Sequence, residues 1–159
     1  VRILGIDPGT GILGFGVVDV EKSGKVKLVT AGVVKSPAHT PLDDRLLDIY
    51  DSLREVMEET KPDEVVIEKL FFAKNVTTAI SVAHARGVAM LVAKQAGVKI
   101  AEYTPLQIKQ TMTGYGRAEK KQVQEMVRVH LGLSEVPKPD DAADALAAAI
   151  THVMMGKLR

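Results

Sequence analysis

Four acids share a setting: Asp7, Glu68, Asp141 and Asp144 each stand at one end of an apolar segment. Asp7 closes the opening run and is followed by the turn Pro8-Gly9-Thr10-Gly11, while Glu68 closes the run EVVIE. Asp141 and Asp144 lie near the start of PDDAADALAAAI, three residues apart, and so share one face of a helix. If the four converge, two carboxylates about 4 Å apart repel by roughly 4 kcal/mol at an effective dielectric near 20. Such a cluster persists only by taking up protons or binding cations. An all-oxygen donor set favours a hard ion, Mg²⁺ with Mn²⁺ as a substitute, over zinc. Two such ions about 3.5–4 Å apart are suited to phosphodiester hydrolysis, one activating a water and the other stabilising the leaving oxygen. The simpler reading is that acids here only favour the positive end of a helix dipole. That suffices for Asp140, which is expected to be the N-cap. It is less satisfying for Asp144, which is embedded among alanines and leucine.

The elements that would carry these acids can be read from periodicity. Ile3 to Asp7, Leu13 to Val20 and Val26 to Val34 read as three strands in hairpin succession, an antiparallel meander. Leu42, Leu46, Ile49, Leu53, Val56 and Met57 keep a helical period up to the stop at Lys61-Pro62-Asp63. Glu64 to Glu68 is a short buried strand, Asn75 to Ala96 an alanine-rich helix, and Val98 to Tyr103 a fifth strand. Helices are expected around Pro105 to Met112, over Glu119 to Leu131, and from Asp140 or Asp141 onward. The expected fold is α/β: a mixed five-stranded sheet, meander plus parallel strands, flanked by helices. In it the first and fourth strands lie side by side and parallel. Asp7 and Glu68 then sit at neighbouring strand ends, where open α/β sheets hold ligands.

Composition narrows the function classes. The 159 residues show neither an internal repeat nor a linker-like tract, so a single domain over 1–159 is expected. The absence of cysteine excludes disulfides, thiolate catalysis and cysteine-ligated metal. The first residues run straight into a strand pattern without a signal-peptide build, and no apolar run reads as long enough to span a bilayer. A cytoplasmic protein is the expectation, with no membrane partner. Net charge is only +1, but it is unevenly distributed. Residues 1–68 hold 8 Lys/Arg against 13 Asp/Glu, residues 69–138 hold 11 against 4, and residues 139–159 hold 2 against 3. The basic middle suits a surface that meets a polyanion, although scattered solvated lysines give the same count.

The stretch DPGTGILGFG also resembles the phosphate turn of actin-like ATPases and sugar kinases. Those proteins resemble two duplicated lobes closing on a nucleotide; 159 residues supply one lobe, and no second such turn follows. A fuller resemblance rests on several motifs in order. LGIDPGT at the start, IEKLFFAKN at Ile67–Asn75, ARGVA at Ala85–Ala89, KQT at Lys109–Thr111, AEKKQVQEMV and DAADALAAAITH at Asp141–His152 together resemble the RuvC family of Holliday-junction resolvases. The resemblance covers nearly the whole chain. It implies a ribonuclease H-like fold and a homodimer that nicks two like-polarity strands of a four-way DNA junction, leaving 5′-phosphate and 3′-hydroxyl ends. It also implies an acidic tetrad at Asp7, Glu68, Asp141 and Asp144, and work alongside a branch-migration complex of a junction-binding protein and a ring ATPase. A nuclease-fold relative acting on RNA, or a catalytically idle binding module, are the readings from other classes.

The resemblance extends to DNA contacts. Phe71 is implied to be the wedge at the crossover, where a ring can stack on an unpaired base, with Lys74 beside it; Phe72 is expected in the core. Lys109 and Lys120 match lysine positions of the family and are expected near the scissile phosphate. Tyr115, Arg117 and Lys121 surround a Gly-Tyr-Gly loop that either enters the junction or is an ordinary helix connection. Arg86 is open between a DNA contact and a brace for the dimer. Ala79, Ala83 and Gly87 form a smooth helical strip that packs either on the parent sheet or on a second copy.

Overall fold

The computed structural model describes residues 1–69 and 76–156. Five strands, β1 (Arg2–Asp7), β2 (Ile12–Val20), β3 (Val26–Lys35), β4 (Glu64–Glu68) and β5 (Lys99–Tyr103), form one sheet in the order β3-β2-β1-β4-β5. The meander is antiparallel, with Asp7 opposite Gly14, whereas β4 runs parallel to both β1 and β5. The expected topology is therefore the observed one.

Helices cover both faces. Helices α1 (Leu42–Thr60) and α2 (Val76–Gln95) lie on one; α3 (Pro105–Thr113), α4 (Lys120–Leu131) and α5 (Asp140–Met154) lie on the other. Side chains alternate along a strand. Leu4, Ile6, Val65 and Ile67 therefore pack toward α1 and α2, while Ile3 and Val66 pack toward α5. Asp7 and Glu68 keep the parity of Ile3 and Val66, so both carboxylates belong to the α5 face. That parity explains why an apolar strand can end in an acid without burying it in the opposite core.

Helix α5 lies unusually close to the sheet. A Cβ on Gly5 would land on the Ala145 carbonyl oxygen, and one on Gly14 would land on that of Asp141. On the helix side, Ala142, Ala145 and Ala149 are fully buried. Backbone thus meets backbone over β1 and β2, and the N-terminal turn of α5 is seated beside the end of β1.

Two expectations are corrected, and one open alternative narrows. Pro139, not Asp140, is the N-cap of α5; its backbone is extended, it offers no side-chain cap, and Asp140 is already helical. Its carboxylate instead lies 3.9 Å from the Lys120 ammonium. The strip on α2 does not pack on the parent sheet as a unit. Ala79 is buried, but Ala83 and Gly87 are exposed, and a Cβ on Gly87 would meet nothing within 4 Å. Finally, α2 has 20 residues and contains an 18-residue window of mean hydropathy 1.4, long and apolar enough to cross a membrane. Its apolarity has two uses here: Ala85, Ala89, Val92 and Ala93 pack in the core beside α1, and a second face is exposed.

Candidate active site

The three aspartates converge. One carboxylate oxygen from each of Asp7, Asp141 and Asp144 lies within 4.8 Å of the others. Glu68 joins them from the neighbouring strand end, sharing a hydrogen bond with Asp7 and adding charge to both Asp7 and Asp144. Burial and this shared bond push the Asp7 carboxyl up to about 9, with the charges of Glu68, Asp144 and Asp141 adding to the rise. Asp144 is also raised, first by burial and then by Glu68 and Asp141, although Lys120 pulls against them. Like charges crowded in a partly dry site hold a proton in the absence of a cation.

One cation answers part of that charge. Lys120 Nζ stands 3.1 Å from Asp144 Oδ2. Burial alone would lower the Lys120 ammonium, but the bond and charge of Asp144, then Asp140 and Asp141, outweigh it and raise it. Glu68, Asp144, Lys109 and Lys120 line a common cleft of about 260 Å³, walled by Pro105, Ile108, Val123 and Ala147. A cleft lined by both acids and lysines suits a phosphate held between cations.

The donor chemistry fits a divalent metal. Asp7, Asp141 and Asp144 offer oxygen ligands within one ion's reach, Glu68 adjoins them, and the raised carboxyls mark a charge deficit that a hard cation would fill. Among the described residues this is the one grouping of three such side chains with ligand atoms that close together.

The expected DNA contacts are dispersed. Lys109 and Lys120 reach the cleft, but Lys121 lines a separate hollow with Thr113, Gln122, Glu125 and Met126. Tyr115 is 58% exposed in the loop after α3, and Arg117 is exposed beyond it. Phe71, Phe72 and Lys74 lie outside the described residues. Arg86 turns inward: its guanidinium donates to the Glu68 carbonyl oxygen at 3.3 Å and to Glu102 Oε2 at 2.6 Å.

Gly5 and Gly14 are site residues that periodicity did not single out. A glycine inside a buried strand signals close backbone approach, and the alanine-rich final helix was the matching signal. Both together seat Asp141 beside Asp7.

The family described as crossover junction endodeoxyribonuclease RuvC matches residues 3–152. A protein of that name from Brevibacillus brevis is 56% identical over 152 residues, covering 96% of this chain and 91% of that protein. One from Chloroflexus aurantiacus is 51% identical over 152 residues, covering 96% and 92%. The structure of T. thermophilus RuvC in complex with a Holliday junction substrate superposes with a TM-score of 0.91 at 39% identity, covering 98% of this chain and 94% of that one. The yeast mitochondrial Holliday junction resolvase Ydc2 shares the fold, with a TM-score of 0.70 at 14% identity over 96% of this chain and 77% of its own. The chain belongs to the RuvC family of crossover junction endodeoxyribonucleases.

Proposed function

We propose that this protein resolves four-way DNA junctions by paired, symmetric, Mg²⁺-dependent nicks that leave 5′-phosphate and 3′-hydroxyl ends. The observation that carries the reading is the convergence of Asp7, Asp141 and Asp144, with Glu68 hydrogen-bonded to Asp7, on a cleft that also holds two lysines. Family membership supports the substrate class.

Asp7, Glu68, Asp141 and Asp144 are the groups that would hold Mg²⁺ or Mn²⁺, two ions in all. Such ions supply an activated water and stabilise the charge developing on the departing 3′ oxygen. The protein's own groups do the rest. Asp7 holds a proton in the free site at neutral pH and gives it up when a cation takes its place. Lys120 tethers Asp144 and, with Lys109, presents positive charge to the non-bridging oxygens of the scissile phosphate. Arg117, Lys121, Tyr115, Lys74 and Phe71 serve as DNA contacts, the lysines and arginine on phosphates and the rings on bases.

Two symmetric nicks require two sites, and the surface of α2 supports a homodimer. Val76, Ile80 and Leu91 are 69%, 56% and 51% exposed and share one stripe with Ala83 and Gly87. Small residues between large apolar ones let a second copy of α2 approach closely. Delivery of junctions by a branch-migration complex of a junction-binding protein and a ring ATPase, in the cytoplasm, completes the reading.

A synthetic four-way junction tests it. Mg²⁺-dependent cleavage at symmetric positions, abolished in Asp7→Asn with junction binding retained, is the expected result. Cleavage of RNA with intact junctions would end the reading, and binding without any cleavage would make the chain a binding module.

A further inference from the structure

Helix α2 reaches the turn that follows β1 and the end of β4, beside the two acids of the sheet. On one flank of its buried face, the Ser81 hydroxyl hydrogen-bonds to that of Thr10, a 9% exposed residue three positions beyond Asp7. On the other flank, Arg86 donates to the Glu68 carbonyl and to Glu102 on β5. The two side chains are five residues apart, about 140° around the helix. The core residues Ala85 and Ala89 lie between these flanks, and the exposed stripe of Val76, Ile80, Ala83, Gly87 and Leu91 lies opposite.

This arrangement has consequences that core packing alone would lack. The Arg86 guanidinium side chain is 16% exposed and spans two adjacent strands, so it fixes the end of β4 relative to β5. Its contact with Glu68 is to the backbone, from the sheet face opposite the carboxylate; it can orient Glu68 without competing for ligand atoms. Thr10–Ser81 does the same for the turn after Asp7. Through these two contacts α2 bears on the turn after β1 and on the end of β4 together.

We propose that Ser81 and Arg86 are positioning residues that link the exposed stripe of α2 to the acid cluster, so that docking of a second copy tightens divalent-ion binding. The proposal rests on the dimer and metal-site readings above. By linkage, ion binding must then favour the dimer, by one such factor for every ion bound. The chain would thereby hold its ions most tightly when two sites are present to cut both strands.

A cycle of variants tests this with Mn²⁺ itself as the probe, read by electron paramagnetic resonance of the free ion, alongside sedimentation for the dimer. Ile80→Glu, and independently Leu91→Glu, should give folded monomers with Mn²⁺ affinity lowered roughly fivefold or more. Ser81→Ala with Arg86→Met should lower the affinity of the dimer similarly, and adding Ile80→Glu should then cause little further loss. Ser81→Thr, which keeps the hydroxyl, should retain the wild-type affinity. Wild-type Mn²⁺ affinity in the Ser81→Ala/Arg86→Met protein, or full additivity with Ile80→Glu, would overturn the link while leaving the metal site intact. A wild-type chain that is monomeric, or that binds no Mn²⁺ at the acids, would instead remove the reading beneath it.

Discussion

Asp7→Asn should stabilise the metal-free protein at neutral pH, although the same change should destroy its activity. The folded chain holds a proton on Asp7 up to about pH 9, whereas the unfolded chain releases it near pH 3.8. Where the native state binds more protons than the unfolded state, stability falls as pH rises. The contribution of Asp7 is thus complete below pH 3.8 and is lost progressively up to about pH 9. From pH 3.8 to pH 7 the loss is about 4 kcal/mol at roughly 1.4 kcal/mol per pH unit. Asparagine keeps the shape of the protonated acid and titrates in neither state. The proton is shared within a cluster, so a gain of at least about 2 kcal/mol is the conservative expectation, which raises Tm by about 4 °C or more for a chain of this length. Thermal melts in EDTA at pH 7 and pH 4 read it directly: the gain should be present at pH 7 and shrink toward pH 4. Excess Mg²⁺ should then raise the Tm of the wild type and leave that of the variant nearly unmoved. An Asn variant less stable than wild type at pH 7 in EDTA, or a gain independent of pH, would mean that Asp7 is ionised in the metal-free fold.

Other perturbations reach the site from different directions. Gly14→Ala puts a methyl group against the Asp141 carbonyl; it should cost about 1–3 kcal/mol in denaturant melts and weaken Mn²⁺ binding, whereas unchanged affinity would mean Asp141 tolerates a shift. Lys120→Met, with a half-exposed side chain, should lose less than about 1 kcal/mol of stability yet slow junction cleavage at least roughly tenfold; wild-type rates would remove it from the site. Tyr103→Phe takes the hydroxyl from buried His152 Nδ1, whose Nε2 faces Glu64 at 2.8 Å; urea melts should show a loss of about 1–3 kcal/mol, with Mn²⁺ affinity retained.

Much of the fold was legible because its signals are local. The parallel pairing of β1 and β4 followed from a meander succeeded by helical crossovers, and the placement of Asp7 and Glu68 followed from each acid closing an apolar run. That both acids face α5 is seen only once the strands' two faces are assigned to their helices. The rest depended on what each residue meets across the fold. Gly14 reads as a weak strand residue until the backbone of α5 lies on it. Arg86 is ambiguous as a lone cation in an apolar helix, because its acceptors, a carbonyl of β4 and a carboxylate of β5, are not its sequence neighbours. The exposed stripe of α2 is hidden by composition: the helix is apolar nearly all round, so periodicity alone does not distinguish its core face from its open one. The N-cap of α5 shifted by one residue because Pro139 already has the extended backbone that a cap requires.

Anomalous diffraction from a crystal soaked in Mn²⁺ locates the ion relative to the four acids. Manganese density within about 2.5 Å of oxygens from Asp7 and at least two of Glu68, Asp141 and Asp144, absent in Asp7→Asn crystals, is the expected result. Manganese bound elsewhere on the surface, with these four carboxylates left bare or turned apart, would contradict it.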